Sequence, residues 1–311
     1  MSSPQQSAHD TWHDIKERGG LLPLMLMLGF YRCGGRWLCR VVLYFIIMWY
    51  WLFAVTARQA SLQYLQRLHH FAGTQSPFSA MPTWGNSYTH FMQFGECILD
   101  KIEGWLGHIP EQKLELFGHE HFQQHYQKGA IIVVSHFGNI ELLRALKSEH
   151  PQKINVLVYQ KHASQFNQFL KKINDKADVN LISVDELGIE TAILLEEKMQ
   201  QGEWVIVAAD RIPVHSDRVQ TVQFLGESAT LPQGAWILAN LLKVPVLAVF
   251  CYRVQQKFQV HIHPIADQID LPRKTRLSSM QQITQRYVVL LEQHCCRAPY
   301  QWFNFYQFWT K

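Results

Sequence analysis

The chain has 311 residues, 48% hydrophobic and 17% charged, enough for one large domain or two modest ones and for a full core. That balance excludes a disordered chain, and a net charge of +4 without a dense Lys/Arg stripe excludes a nucleic-acid binder. The charged share is below the usual level of about a quarter, so the apolar surplus, with 10 Trp and 18 Phe, must bury against a generous core or a lipid surface.

The N-terminal tail is polar, and no small-residue cleavage site follows an early apolar core, so no cleavable signal is expected. Leu21–Tyr31 is apolar but too short to cross a bilayer. Val41–Ala57 is uncharged over about 17 residues, at the lower edge of a spanning helix. Arg32, Arg36 and Arg40 precede this run and Arg58 follows it. Spanning is one reading, yet Trp49, Tyr50 and Trp51 fall in mid-run, where interfacial aromatics are least expected. A buried core helix is another. The favoured reading is a helical hairpin over Leu21–Ala57 that enters and leaves one leaflet, or lies along it. Gly73–Gly85, with Pro77 and Pro82, reads as a linker. The chain thus divides into membrane-associating helices over residues 1–72 and a globular body over 73–311.

From about Gly118 short apolar runs alternate with amphipathic ones. Ala130–Ser135, Ile154–Tyr159, Trp204–Ala209 and Val244–Cys251 read as buried strands, and Val219–Leu225 and Phe258–His263 as strands nearer an edge. Helices are expected over Ile140–His150, Ser164–Asp175, Glu186–Gln201, Pro232–Leu242 and Leu277–Cys296. This is the pattern of an α/β fold, a central mostly parallel sheet flanked by helices on both faces, with ligands beyond the carboxyl ends of the strands. The six cysteines (Cys33, Cys39, Cys97, Cys251, Cys295, Cys296) form no C-x-x-C pair, which suits reduced thiols facing the cytoplasm.

One strand end carries the strongest chemistry. Ser135-His136-Phe137-Gly138-Asn139-Ile140-Glu141 turns from strand to helix, with a histidine suited to general-base work and a carboxylate one turn on to steady it. The amides near Gly138 and Asn139 are candidates to face an oxyanion, and Arg144, one turn further, to hold phosphate. A second strand ends in Asp210-Arg211, with Arg218 returning on the next; these suit a phosphate, or a structural ion pair. Leu231-Pro-Gln-Gly234 opens a helix whose small residues let an acyl chain, or merely the sheet, come close. His261 and His263 share a strand face but lack a third ligand at informative spacing, so surface histidines are the better reading and no metal site is assigned. There is no G-x-S-x-G elbow, P-loop or G-x-G-x-x-G.

In this order the blocks resemble the lysophospholipid acyltransferase-like superfamily, in particular its bacterial lipid A late acyltransferase branch. The matching features are His136-x4-Glu141, a strand ending in Asp210 with Arg211 or Arg218 nearby, Leu231–Gly234 and Val244-Pro245-Val246. Asp210-Arg-Ile-Pro and the aromatic ending Tyr300–Trp309 look like a divergent subgroup, which leaves the acceptor open. The resemblance implies transfer of a fatty acyl group from an acyl-carrier-protein or coenzyme A thioester to a hydroxyl or amine of a lipid or glycolipid. It implies no cofactor beyond that thioester and no metal, at the cytoplasmic face of a bacterial inner membrane. His136 would act as base with Glu141 as its support, and Gly138, Asn139, Arg144, Asp210, Arg211, Arg218 and Gly234 would line the substrates. The rival is an inactive, membrane-anchored lipid-binding or assembly protein on the same scaffold.

Overall fold

Runs such as Ala130–Val134 and Trp204–Ala208 have no polar face to turn to water, so a sheet made from them must be covered on both sides. The computed structural model, which describes residues 21–125, 128–140, 142, 153–158, 179–183, 189–212 and 217–309, shows that arrangement. The sheet comprises β1 (Leu114–Phe117), β2 (Ala130–Val134), β3 (Ile154–Val158), β4 (Val179–Ser183), β5 (Trp204–Ala208), β8 (Val246–Val254) and β9 (Lys257–Ala266). Its order is β1-β9-β8-β2-β5-β3-β4, every pair parallel except the β8–β9 hairpin. Alternate residues serve opposite faces. Ile131, Val133, Val205 and Val207 pack toward Trp236, Tyr287 and Leu291, whereas Ala130, Ile132, Val134, Trp204 and Ile206 pack toward Phe122 and Leu142.

β6 (Val219–Phe224) and β7 (Glu227–Pro232) leave the sheet to form a separate antiparallel ribbon. Pro232 therefore ends a strand, and the helix expected from Pro232 runs over Gly234–Leu242. The other helices stand close to their expected limits, at Ile189–Gln200 and Arg276–Arg297. The helix expected at Ser164–Asp175 and most of that at Ile140–His150 lie outside the described residues.

The N-terminal part is built from α1 (Leu21–Phe53), α2 (Val55–Ala72) and α3 (Trp84–Trp105). By length and composition Met25–Phe53 could cross a membrane. It is not one straight rod, because Gly35 adopts φ 62°, ψ −161°, a conformation open essentially only to glycine. The Cys39 thiol lies 3.5 Å from the Met27 carbonyl oxygen. Twelve residues of straight helix would separate those two by about 18 Å, so the chain folds back at Gly34–Gly35. The second arm runs antiparallel along α3. Arg36 pairs with Glu96, Asp100 and Glu103, each at 2.7 Å; Leu43 packs on Gly95; Trp51 donates to Ser87 at 3.3 Å. Arg40 also pairs with Glu96, at 2.6 Å. The hairpin geometry anticipated over Leu21–Ala57 is present, and two of the arginines read as flanking charges are ion-paired to α3. The segment Gly73–Gly85 begins with a short 3-10 turn at Gly73–Gln75 and runs into α3 at Trp84.

Candidate active site

β2 and β5 pair in register, Val134 opposite Ala208, and the Ala209 amide donates to the Val134 carbonyl at 2.9 Å. Two residues beyond each paired end, the same register sets His136 beside Asp210. The His136 ring Nδ1 lies 2.8 Å from Asp210 Oδ1, and the His136 backbone amide donates to Asp210 Oδ2 at 2.8 Å. Trp302 Nε1 adds a third bond to Oδ2, at 3.2 Å. Asp210 is 2% exposed, whereas the His136 side chain keeps 38% exposure. One carboxylate is thus buried and accepts from three donors, while the imidazole it holds retains an open edge.

Burial works against the Asp210 anion, but the attraction of His136, its ring and backbone hydrogen bonds and the charge of Arg211 outweigh it and hold the carboxyl below its usual value. Asp210 is then ionised and only accepts, so Nδ1 carries the proton. Nε2 is left with its lone pair. For His136 burial is the largest influence and lowers its pKa; Asp210 opposes this, and Arg211 and Lys101 add to the lowering. A ring held below 6.5 is neutral at pH 7 and able to accept a proton.

The loop that follows is tied down on both sides. Phe303 donates its amide to the His136 carbonyl at 2.8 Å, Gly138 donates to Gln301 at 2.7 Å, and Asn139 donates to Cys251 at 2.7 Å. This corrects one expectation. The amides of Gly138 and Asn139, read as donors to an oxyanion, are committed to carbonyls of the fold and shape the loop instead. Gly138 has φ +57°, and a Cβ there would lie 2.0 Å from the Cys251 carbonyl oxygen, so glycine is required. The Cys97 thiol of α3 reaches the Gly138 carbonyl at 3.1 Å.

Arg211 donates to the Phe303 carbonyl at 3.1 Å and stands over the Tyr306 ring at 5.7 Å. Gly234 opens a helix, and the Gln233 amide just before it donates to the Arg218 carbonyl at 2.9 Å. Glu141 and Arg144 lie outside the described residues. Asp210, grouped with the substrate-binding residues on sequence, is the carboxylate that touches His136. What the sequence reading missed is the role of the C-terminal segment: Gln301, Trp302, Phe303 and Tyr306 all hold the His136–Asp210 pair or its loop. The available signal is the aromatic density of residues 300–309, which on sequence reads as the mark of a divergent subgroup.

A strand-end histidine with a buried acid partner, on a sheet of this topology, agrees with one comparison. The family model for bacterial lipid A biosynthesis acyltransferases matches residues 91–311. The chain belongs to that family. The match begins within α3 and takes in the whole sheet, the His136–Asp210 pair and the C-terminal segment that encloses it. Membership in the lipid A acyltransferase family implies an acyl donor and a lipid acceptor. No curated protein matches the chain.

Proposed function

We propose that the protein moves a fatty acyl group from an acyl-carrier-protein or coenzyme A thioester to a hydroxyl or amine of a lipid acceptor. His136 Nε2 takes the acceptor's proton as its oxygen or nitrogen attacks the thioester carbonyl. The tetrahedral adduct collapses by expelling the thiolate, which recovers the proton from the imidazolium. The products are the acylated lipid and the free thiol, and no covalent enzyme intermediate is needed because a thioester is already activated. Asp210 fixes the tautomer and stabilises the imidazolium, the task the motif spacing assigns to Glu141 alone. Glu141, the acid of the His136-x4-Glu141 motif, is kept in this proposal as a second support for the base. Arg211, whose charge bears on His136, is the candidate to oppose the developing oxyanion, and Arg144 and Arg218 are candidates for donor or headgroup phosphates.

The reaction is assigned to the cytoplasmic face of a bacterial inner membrane, where thioester donors are available. An apolar face on α1 supports membrane contact: Trp37 is 73% exposed, Trp49 67% and Phe53 64%. The free state of the six cysteines suits that compartment.

The observation that carries the reading is the 2.8 Å contact between His136 Nδ1 and Asp210 Oδ1. Thiol release from acyl carrier protein and coenzyme A thioesters, with lipid vesicles as acceptor, tests it. The parent should turn over, and His136→Ala should lose about 10²-fold or more while staying folded and vesicle-bound. A folded His136→Ala protein within tenfold of the parent would remove the base from the mechanism. A parent that releases no thiol would favour the inactive binding scaffold.

A further inference from the structure

A second cluster of histidines lies behind the catalytic loop. His261 and His263 project from one face of β9, and His294, in the last turn of the helix Arg276–Arg297, meets them there. This third partner is not legible from spacing, because it arrives from another element 31 residues further on. One ring nitrogen from each of the three lies within 4.8 Å of the other two. His263 Nε2 and His294 Nε2 are 2.9 Å apart. We propose that His261, His263 and His294 form a binding site for a divalent transition metal, zinc being the natural occupant.

The geometry supports three points. Zn–N bonds of about 2.0–2.1 Å place tetrahedral ligand nitrogens about 3.3 Å apart, between the 2.9 Å of the closest pair and the 4.8 Å outer bound. The rings are also held in place. His261 is stacked between Phe117 and Tyr252, at 4.5 Å and 5.2 Å, and His294 stacks on Phe250 at 4.2 Å. Finally, the outer nitrogens have partners of the kind that orient metal ligands. His294 Nδ1 lies 3.0 Å from the Tyr252 hydroxyl, and His261 Nε2 lies 3.1 Å from Gln259 Oε1, which leaves His261 Nδ1 for the metal.

The charges around the cluster select the kind of ion. Arg297 bears on all three histidines and His121 on His263, and among the described residues no carboxylate joins the cluster. That excludes the hard, oxygen-seeking ions calcium and magnesium and leaves metals whose bonds to imidazole are strong.

A metal here would join β9 to the end of the C-terminal helix. Directly after that helix come Gln301 and Phe303, which hydrogen-bond to the catalytic loop. Phe137, next to His136, packs edge-on against Tyr252 at 5.2 Å. The ion would therefore position the segment that shapes the loop without touching substrate.

The test uses the full chain, purified without an oligohistidine tag, stripped with a chelator and titrated with zinc chloride and, separately, cobalt chloride. The expected result is about one tight equivalent of zinc, with tetrahedral ligand-field bands for cobalt. The melting temperature should rise by a few degrees, as for any ligand that binds only the folded state. His263→Ala, at the half-exposed position, should fold and bind at least about tenfold more weakly. His294→Gln is the second variant, read only if it folds. Zinc binding that is unchanged in His263→Ala, or no binding above that variant's background, would overturn the proposal and leave a hydrogen-bonded histidine chain. Because zinc content and the cobalt spectrum do not depend on turnover, the outcome is separate from whether the acyl-transfer reading holds.

Discussion

At His136 the decisive feature is the direction of one proton. Asp210 accepts from Nδ1–H, so the lone pair on Nε2 faces outward. In Asp210→Asn the amide NH2 would donate to Nδ1 and reverse the tautomer, turning an N–H toward the acceptor. Activity should fall by about 10²- to 10⁴-fold with the fold retained. Single-turnover acylation of purified variant and parent measures this, and near-parental rates would mean that Glu141 alone supports the base. The pH profile carries a second expectation. Below its pKa the ring is protonated and cannot act as base, so kcat/KM rises with pH. Because burial sets the pKa below 6.5, the midpoint of the rise should lie below pH 6.5. An acid limb centred above that value would argue against His136 as the titrating group. The Asp210 pairing was open to the sequence, had the strands been aligned. His136 stands six residues after Ala130 and Asp210 six after Trp204, and Ala130 is the register partner of Trp204. A single sequence shows where strands are but not which lie side by side, so Asp210 was read by its nearest charge, Arg211, instead of its spatial neighbour.

At the scale of elements, the site is held by the C-terminal segment and α3 as much as by the sheet. His90 of α3 shows the coupling. Its Nδ1 lies 3.0 Å from Ser61 Oγ of α2 and its Nε2 lies 2.9 Å from the Trp302 carbonyl. That carbonyl only accepts, so Nε2 carries the proton and Nδ1 accepts from the serine. Burial pushes the His90 pKa down to about 3, against the raising effect of the Trp302 bond. The unfolded chain, with a histidine near 6.5, then binds more protons than the folded one between those values. This contribution to stability is fully present above pH 6.5 and is lost as pH falls toward 3. Urea midpoints between pH 7 and 4 should drop more steeply for the parent than for His90→Gln, which keeps a donor and an acceptor but does not titrate. Parallel curves would show that other groups dominate the acid limb. Gly138→Ala acts on the same assembly. A Cβ at φ +57° and 2.0 Å from the Cys251 oxygen must move the loop, so activity should be lost together with about 1–3 kcal/mol of stability. Thermal melts and thiol release read the two effects separately. These couplings were invisible in sequence because they join residues some 30 to 210 positions apart, and all but the Ser61–His90 bond run through backbone groups, which every residue has. The strands and the long helices were legible because apolar periodicity is local.

For the whole molecule, the question is how an apolar hairpin sits beside a body of ordinary polarity. The arm after Gly35 lies along α3 from Arg36 to Trp51, tied by ion pairs at one end and by Trp51 and Ser87 at the other. A helix bound to the body over that length cannot leave it to cross a bilayer alone, and it buries one face while Trp37, Phe45, Trp49 and Phe53 remain outside. Within the proposed membrane association this geometry argues for an in-plane position, with that face toward the acyl–headgroup boundary and Arg36 and Arg40 neutralised by α3 rather than voting on topology. Removing residues 1–70 would be a poor test, since Phe91, Leu99, Ile102 and Trp105 of α3 are buried beneath the hairpin and would be uncovered. Point charges on the exposed face are cleaner. Phe45→Glu, Trp49→Glu and Phe53→Glu should each weaken vesicle binding by about tenfold, since each puts a charge where an aromatic side chain worth about 1.5–3 kcal/mol had been buried. Melting temperature should hardly change, because no core contact is lost. Leu43→Glu should do the reverse: Leu43 is buried against Gly95, so the protein should destabilise before its lipid affinity is affected. Vesicle co-flotation paired with thermal melts separates the two classes. If the three exposed-face variants float as well as the parent, the lipid-facing surface lies elsewhere on the molecule, and the hairpin's exposed aromatics need a protein partner instead.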